Sequence, residues 1–90
     1  MTEERHRLVS IIIPTRNRRE ILDACLATVM SSTYPFIEVV VIDNASTDGT
    51  VDMVHRKYPQ ARLIENPCNV FLAEARNMGA QMARGEYVLF

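Results

Sequence analysis

The sequence predicts an α/β fold, a mainly parallel sheet of about four strands with three helices, and three observations predict it. The β-branched runs Ile11-Ile12-Ile13 and Val39-Val40-Val41-Ile42 are continuous rather than alternating, as strands buried on both faces are. Each run breaks abruptly, at Pro14 and at Asp43-Asn44-Ala45-Ser46. The segments between them carry apolar residues at helical spacing, so strand and helix alternate through short, right-handed connections.

The elements follow in order. Leu8 to Ile13 is a first strand stopped by Pro14, and Arg18 to Ser32 is a helix with Ile21, Leu22, Cys25, Leu26, Val29 and Met30 in periodic positions. Ser31-Ser32-Thr33-Tyr34-Pro35 closes it, and Ile37 to Ile42 returns as the second strand. In the loop from Asp43 to Thr47, Ser46 or Thr47 suits a helix cap, and Asp48 favours the positive amino end of the helix that follows. Val51, Val54 and Tyr58 give that helix its apolar face before Pro59 ends it. Ala61 to Ile64 is a short third strand, Glu65 to Asn69 a polar loop, Val70 to Arg84 a third helix, and Glu86 to Phe90 a fourth strand.

Ninety residues make one domain, with Met1 to Arg7 a polar leader and residues 8–90 the folded part. Apolar residues at 48% and charged ones at 23% are ordinary globular values, and a net charge of -1 gives no reason to invoke nucleic acid or an anionic membrane. No apolar run has signal-peptide or membrane-span character, so a soluble cytoplasmic chain is the expectation. Cys25 and Cys68 lack metal or redox spacing and read as free thiols, and His6 and His55 lack an acid at triad-like spacing. Neither a P-loop nor a dinucleotide Gly-rich pattern occurs.

The strand-end loops hold the residues with chemistry. Pro14-Thr15-Arg16-Asn17-Arg18-Arg19 joins a buried strand to a helix amino terminus, where backbone N–H groups and arginines favour anions. Arg16 can stack on a base, while Arg18 and Arg19 read as solvent-facing. Asp43 and Asn44 read equally as turn formers and as groups that hydrogen-bond a base or a ribose. In the third helix, small residues around Gly79 allow close packing, Asn77 reads as a loop-fixing group, and Arg76 stands open between structure and phosphate.

Four motifs in order, Val9-Ser10-Ile11-Ile12-Ile13-Pro14-Thr15-Arg16-Asn17-Arg18, Val41-Ile42-Asp43-Asn44-Ala45-Ser46-Thr47-Asp48-Gly49-Thr50, Ala75-Arg76-Asn77-Met78-Gly79 and Ala83-Arg84-Gly85-Glu86-Tyr87-Val88-Leu89-Phe90, resemble family 2 glycosyltransferases of the GT-A fold. The resemblance runs from Leu8 to Phe90 and implies the Rossmann-like amino-terminal half of such a domain. It further implies a nucleotide-diphospho-sugar donor, a divalent metal (Mn or Mg) on its diphosphate, and inverting transfer to an acceptor hydroxyl. Pro14, Thr15, Arg16 and Asn17 would line the nucleotide pocket, Asp43 and Asn44 would contact base and ribose, and Arg76 would lie near the donor.

Three positions depart from the family pattern: Asn44, where a second Asp is common; Arg16, where an aromatic residue often stacks on the base; and Phe71, commonly Gly. Asp-Asn-Ala-Ser also resembles rhamnosyltransferases, so deoxythymidine- and uridine-diphospho-sugars are both expected donors. In the family the strand ending at Phe90 leads into the metal-binding Asp-x-Asp motif, which this chain stops before. No catalytic residue or metal ligand is therefore assigned to it, and the ninety residues alone are expected to be inactive and to dimerise through an exposed sheet edge. The rival readings are a stand-alone nucleotide- or partner-binding module and a nucleotidyltransferase, whose Gly-rich first loop is missing.

Overall fold

A computed structural model describes residues 8–68, 72–82 and 87–89. The chain runs β1 (Val9–Thr15), α1 (Arg19–Met30), β2 (Ile37–Asn44), α2 (Thr50–Lys57), β3 (Arg62–Asn66), α3 (Leu72–Met82) and β4 (Tyr87–Leu89). All strand pairings are parallel, in the order β3-β2-β1-β4. The chain steps outward from β1 to β3, and α3 then carries it back to the far side of β1. The winding direction therefore switches between β1 and β4, and open parallel sheets bind ligands in the crevice outside the carboxyl ends of the strands at such a point, which the end of β1 borders. The expected α/β class, strand number and helix number are all found.

Two cores flank β2, whose residues Val39 to Ile42 are at most 4% exposed. On one face Val39 and Val41 pack against Leu22 and Leu26 of α1, Met53 and Val54 of α2, and Tyr58. On the other face Ile12, Val40 and Ile42 form a second cluster with Ile64 against it. Here α3 approaches β1 so closely that a Cβ placed on Gly79 would overlap Ile12 Cγ2. Burying β2 from both sides explains its unbroken apolar run.

Several boundaries differ from the sequence expectation for physical reasons. Strands β2 and β3 extend two residues further than their apolar runs, because Asp43, Asn44, Glu65 and Asn66 remain in the parallel ladder despite polar side chains. Helix α1 is shorter than its periodic pattern at both ends, and the Ser31 hydroxyl donates to the Thr28 carbonyl at 2.7 Å, closing the last turn. Ile21, placed by periodicity on the apolar face, is 62% exposed; the stripe that meets the core is Leu22 and Leu26, with the partly buried Val29 and Met30 one turn on. Both cysteines are free and exposed. The polar leader, Phe71, the outer ends of the third helix, Glu86 and Phe90 lie outside the described residues.

Polar groups pin the frame at two places away from the crevice. Glu38 accepts from Ser10 Oγ at 2.7 Å and from Arg62 Nη1 at 2.6 Å, tying three strands near their amino ends. Asp23 of α1 accepts from Lys57 Nζ at 2.6 Å and from the Tyr58 hydroxyl, tying α1 to the end of α2. The Lys57 hydrogen bond, followed by that of Tyr58, holds the Asp23 carboxyl below its ordinary value of 3.8. The same bond to Asp23 raises Tyr58 above its ordinary value of 10.0.

Two outcomes are expected. Gly79→Ala gains about 1 kcal/mol of helix propensity, but the clash with Ile12 outweighs it, lowering stability by about 1–3 kcal/mol in urea denaturation. An unchanged or raised midpoint would show that α3 stands farther from β1. The stability from the lowered Asp23 is fully present above 3.8 and lost as pH falls through its folded value, and that from the raised Tyr58 is present below 10.0 and lost as pH rises above it. Thermal melts of Asp23→Asn should therefore lose part of the acid limb below pH 3.8 that the unsubstituted chain shows.

Candidate functional site

The crevice is built where β1 and β2 end side by side. Parallel register pairs Pro14 with Ile42 and Thr15 with Asp43, and on the far side of β2 it pairs Asp43 with Glu65 and Asn44 with Asn66. Thr15, Asp43, Asn44 and Asn66 are all buried, from 2% to 7% exposed, whereas Arg16 and Asn17 are exposed. Polar groups buried at that density require partners, and nearly all have them.

Asn17 and Ser46 lock the two loops together. The Asn17 N–H donates to Ser46 Oγ at 2.9 Å, and the Thr47 N–H donates to Asn17 Oδ1 at 2.7 Å. This exchange needs Asn17 in the left-handed region, φ 50, which asparagine tolerates better than most residues. Ala45 is also left-handed, φ 54, at the bend where β2 turns away, and the Ser46 N–H beyond it donates to Asp43 Oδ2 at 3.1 Å. Arg16 reaches across the loops, its Nη1 donating to the Asn44 carbonyl at 2.8 Å.

Asp48 caps two helices at once. Its carboxylate accepts from the Thr50 N–H at 3.1 Å and the Thr50 hydroxyl at the start of α2, and from the Arg19 N–H at 3.0 Å at the start of α1. The Thr50 hydroxyl first, then the backbone N–H groups, hold this carboxyl below its ordinary 3.8. The cap therefore belongs to Asp48 rather than to Ser46 or Thr47, whose polar atoms face the other loop. Left-handed Gly49, φ 86, completes the turn, with Arg19 Nη1 lying 3.2 Å from where a Cβ would stand. Residues 16–21 and Asp48 line an open depression of about 520 Å³ outside the loops.

Two buried side-chain acceptors stand at the end of β2. Asp43 Oδ1 is enclosed and has no hydrogen-bond partner among the described residues. Asn44 Oδ1 is occupied, accepting from Asn66 Nδ2 at 2.8 Å. Sequence pattern does not single out Asn66, because Glu65 to Asn69 reads as a polar loop, although an asparagine before proline favours extended backbone.

The structure thus brings Pro14, Thr15, Arg16, Asn17, Asp43 and Asn44 to one end of the sheet. Arg76 belongs to α3 one turn before Gly79, and its side chain lies outside the described residues. Asn77 is exposed, and Asn17, Ser46 and Asp48 bridge the two strand-end loops. Among the described residues no group of three or more His, Cys, Asp or Glu could hold a metal, and no helix is long and apolar enough to cross a membrane.

An open parallel α/β sheet with polar, mutually braced loops at its strand ends is a ligand-binding frame of the doubly wound class. The glycosyl transferase family 2 profile matches residues 10–90, and the chain belongs to that family. An Escherichia coli UDP-Glc:alpha-D-GlcNAc-diphosphoundecaprenol beta-1,3-glucosyltransferase, WfaP, is 37% identical over 86 residues, 92% of this chain and 34% of the relative. An uncharacterized glycosyltransferase of Haemophilus influenzae is 33% identical over 86 residues, again 92% of this chain and 34% of its own length. The chain therefore spans about a third of these relatives.

Among solved structures, the mannosyltransferase PcManGT from Pyrobaculum calidifontis, in complex with GDP-Man and Mn2+, matches with a TM-score of 0.82 and 34% identity over 94% of this chain and 27% of its own. S. aureus TarS 1-349 matches with a TM-score of 0.84 and 30% identity over 92% of this chain and 26% of its own. The fold is that of the amino-terminal part of a GT-A glycosyltransferase.

The Asn17 lock generates an ordered expectation. Asn17→Gly keeps the left-handed backbone and loses the bond to Thr47, costing about 1 kcal/mol, and Asn17→Ala adds backbone strain of about 1 kcal/mol more. Urea midpoints should fall in the order wild type, Gly, Ala; equal midpoints would show that the loops are not held by this residue.

Proposed function

We propose that this chain is the nucleotide-binding part of an inverting glycosyltransferase, which transfers a sugar from a uridine- or deoxythymidine-diphospho-sugar to an acceptor hydroxyl. The observation that carries this reading is the braced crevice itself, with Thr15, Arg16 and Asn17 locked against Asp43, Asn44 and Ser46, in a chain of this family. The complex of PcManGT with GDP-Man and Mn2+ supports a nucleotide-sugar donor and a divalent metal for the whole enzyme.

Each residue has a defined task in this reading. Pro14 and Thr15 form the wall where β1 ends, with Asn17 holding the loop beyond them. Arg16, fixed through one nitrogen to the Asn44 carbonyl, keeps its planar face and remaining N–H groups for base or phosphate. Asp43 and Asn44 are the floor beneath the nucleoside, and Arg76 supplies positive charge near the donor. Binding and orienting a charged diphosphate in this way contributes to catalysis by placing the anomeric carbon.

Inverting transfer also needs a base to take the acceptor proton and a metal to stabilise the departing diphosphate. Of the carboxylates at the strand-end loops, Asp48 is committed to two helix amino termini and Asp43 is enclosed, so neither is assigned to the metal. No step of the transfer is therefore assigned to them, and the ninety residues bind without catalysing.

Titration of the ninety-residue chain with UDP and dTDP, with and without manganese, followed by NMR, tests the reading. Binding is expected in the millimolar range, worth about −4 kcal/mol, with shifts concentrated at Thr15 to Asn17 and Asp43 to Ser46 and little effect of manganese. Shifts confined to other surfaces would remove the crevice as the nucleotide site, and manganese-dependent sugar transfer would overturn the assignment of a purely binding role.

A further inference from the structure

We infer that Asn66 sets the hydrogen-bonding polarity of the nucleoside site: it holds the amide oxygen of Asn44, so that Asn44 presents its NH2 group, a donor, to the base. The inference rests on the nucleotide-binding reading and specifies which base chemistry that crevice admits. Register places Asn44 beside Asn66 on neighbouring strands, and Asn66 Nδ2 donates to Asn44 Oδ1 at 2.8 Å. Both residues are buried, at 5% and 7% exposed, where an unmade hydrogen bond is costly and the bonded arrangement is strongly held.

A primary amide has a donor end and an acceptor end, so fixing one decides what the other offers. The backbone beneath is fixed as well, since the Asn44 carbonyl accepts from Arg16 at 2.8 Å. Asn44 Nδ2 has no partner among the described residues. A carboxylate at this position would present only acceptors and so select bases whose ring nitrogen carries hydrogen. The NH2 of Asn44 instead matches a carbonyl oxygen of uracil or thymine, and equally the bare ring nitrogen of cytosine. Asn66 is thus a positioning residue for base selection, acting through Asn44.

The test titrates the ninety-residue chain and its Asn66→Asp variant with UDP and CDP by NMR, and measures water exchange of the Asn44 and Asn66 side-chain NH2 protons. In the unsubstituted chain, Asn66 NH2 should exchange slowly and Asn44 NH2 fast. Asn66→Asp offers only acceptors, which turns the Asn44 NH2 inward and its oxygen outward. Its exchange should then slow, and the preference for UDP over CDP should rise about tenfold, the effect of one hydrogen bond. Nucleotide binding with an unchanged preference overturns this inference and leaves the proposed function standing. Absence of binding to the unsubstituted chain overturns the proposed function instead. Slow exchange at Asn44 with fast exchange at Asn66 in the unsubstituted chain overturns the inference whether or not nucleotides bind or the variant folds.

Discussion

The parallel register between β1 and β2 is the constraint on which everything else rests. It runs unbroken from Val9 beside Ile37 to Thr15 beside Asp43, so both strands end at the same level and their loops emerge as neighbours. A slip of one residue would exchange the two faces of β2, moving Val39 and Val41 away from Leu22 and Leu26. It would also separate Asn17 from Ser46. Core and crevice are therefore specified by the same pairing, and Glu38, held by Ser10 and Arg62, secures it near the amino ends of the strands.

Given that register, the loops are stiffened by mutual contacts rather than by contacts within each loop. Asn17 and Ser46 each satisfy a backbone or side-chain group of the other loop, and Asp48 satisfies the first turns of both α1 and α2. These bonds offset the left-handed conformations of Asn17 and Ala45, each costing on the order of 1 kcal/mol. A crevice held open this way loses little further entropy when a ligand enters, which is the advantage of preorganisation. On this frame Arg16 and Asn17 are exposed, whereas Thr15 and Asp43 are buried.

Legibility in the sequence divides along the same line. Ile11 to Ile13 and Val39 to Ile42 announced buried strands because side-chain branching and apolar continuity are local properties, and the break after each run located the crevice. The four ordered motifs added the family, which the profile match bears out. Less legible was anything that depends on which strands are neighbours. Asp48 could be read as belonging to the following helix, but its bond to Arg19 joins groups 29 residues apart. Asn66 reads as part of a polar loop and becomes a partner of Asn44 only through the pairing of β2 with β3. Ile21 is the opposite case: helical spacing places it inward, yet the stripe that meets the core is Leu22, Leu26, Val29 and Met30.

The amide at Asn44 also has an electrostatic consequence. Asp43 is 2% exposed with one oxygen lacking a partner, and a second carboxylate beside it would repel it where little water screens the charge. A diphosphate entering the same crevice would add further negative charge. With an amide instead, the end of β2 carries one carboxylate rather than two, and Arg16, Arg18 and Arg19 follow in the neighbouring loop. In the proposed site, neutrality at Asn44 removes the charge that would otherwise draw a ring N–H to it, so base selection would pass to the direction in which the amide is turned. That direction is governed by Asn66, and specificity at the end of β2 thereby depends on a residue of β3.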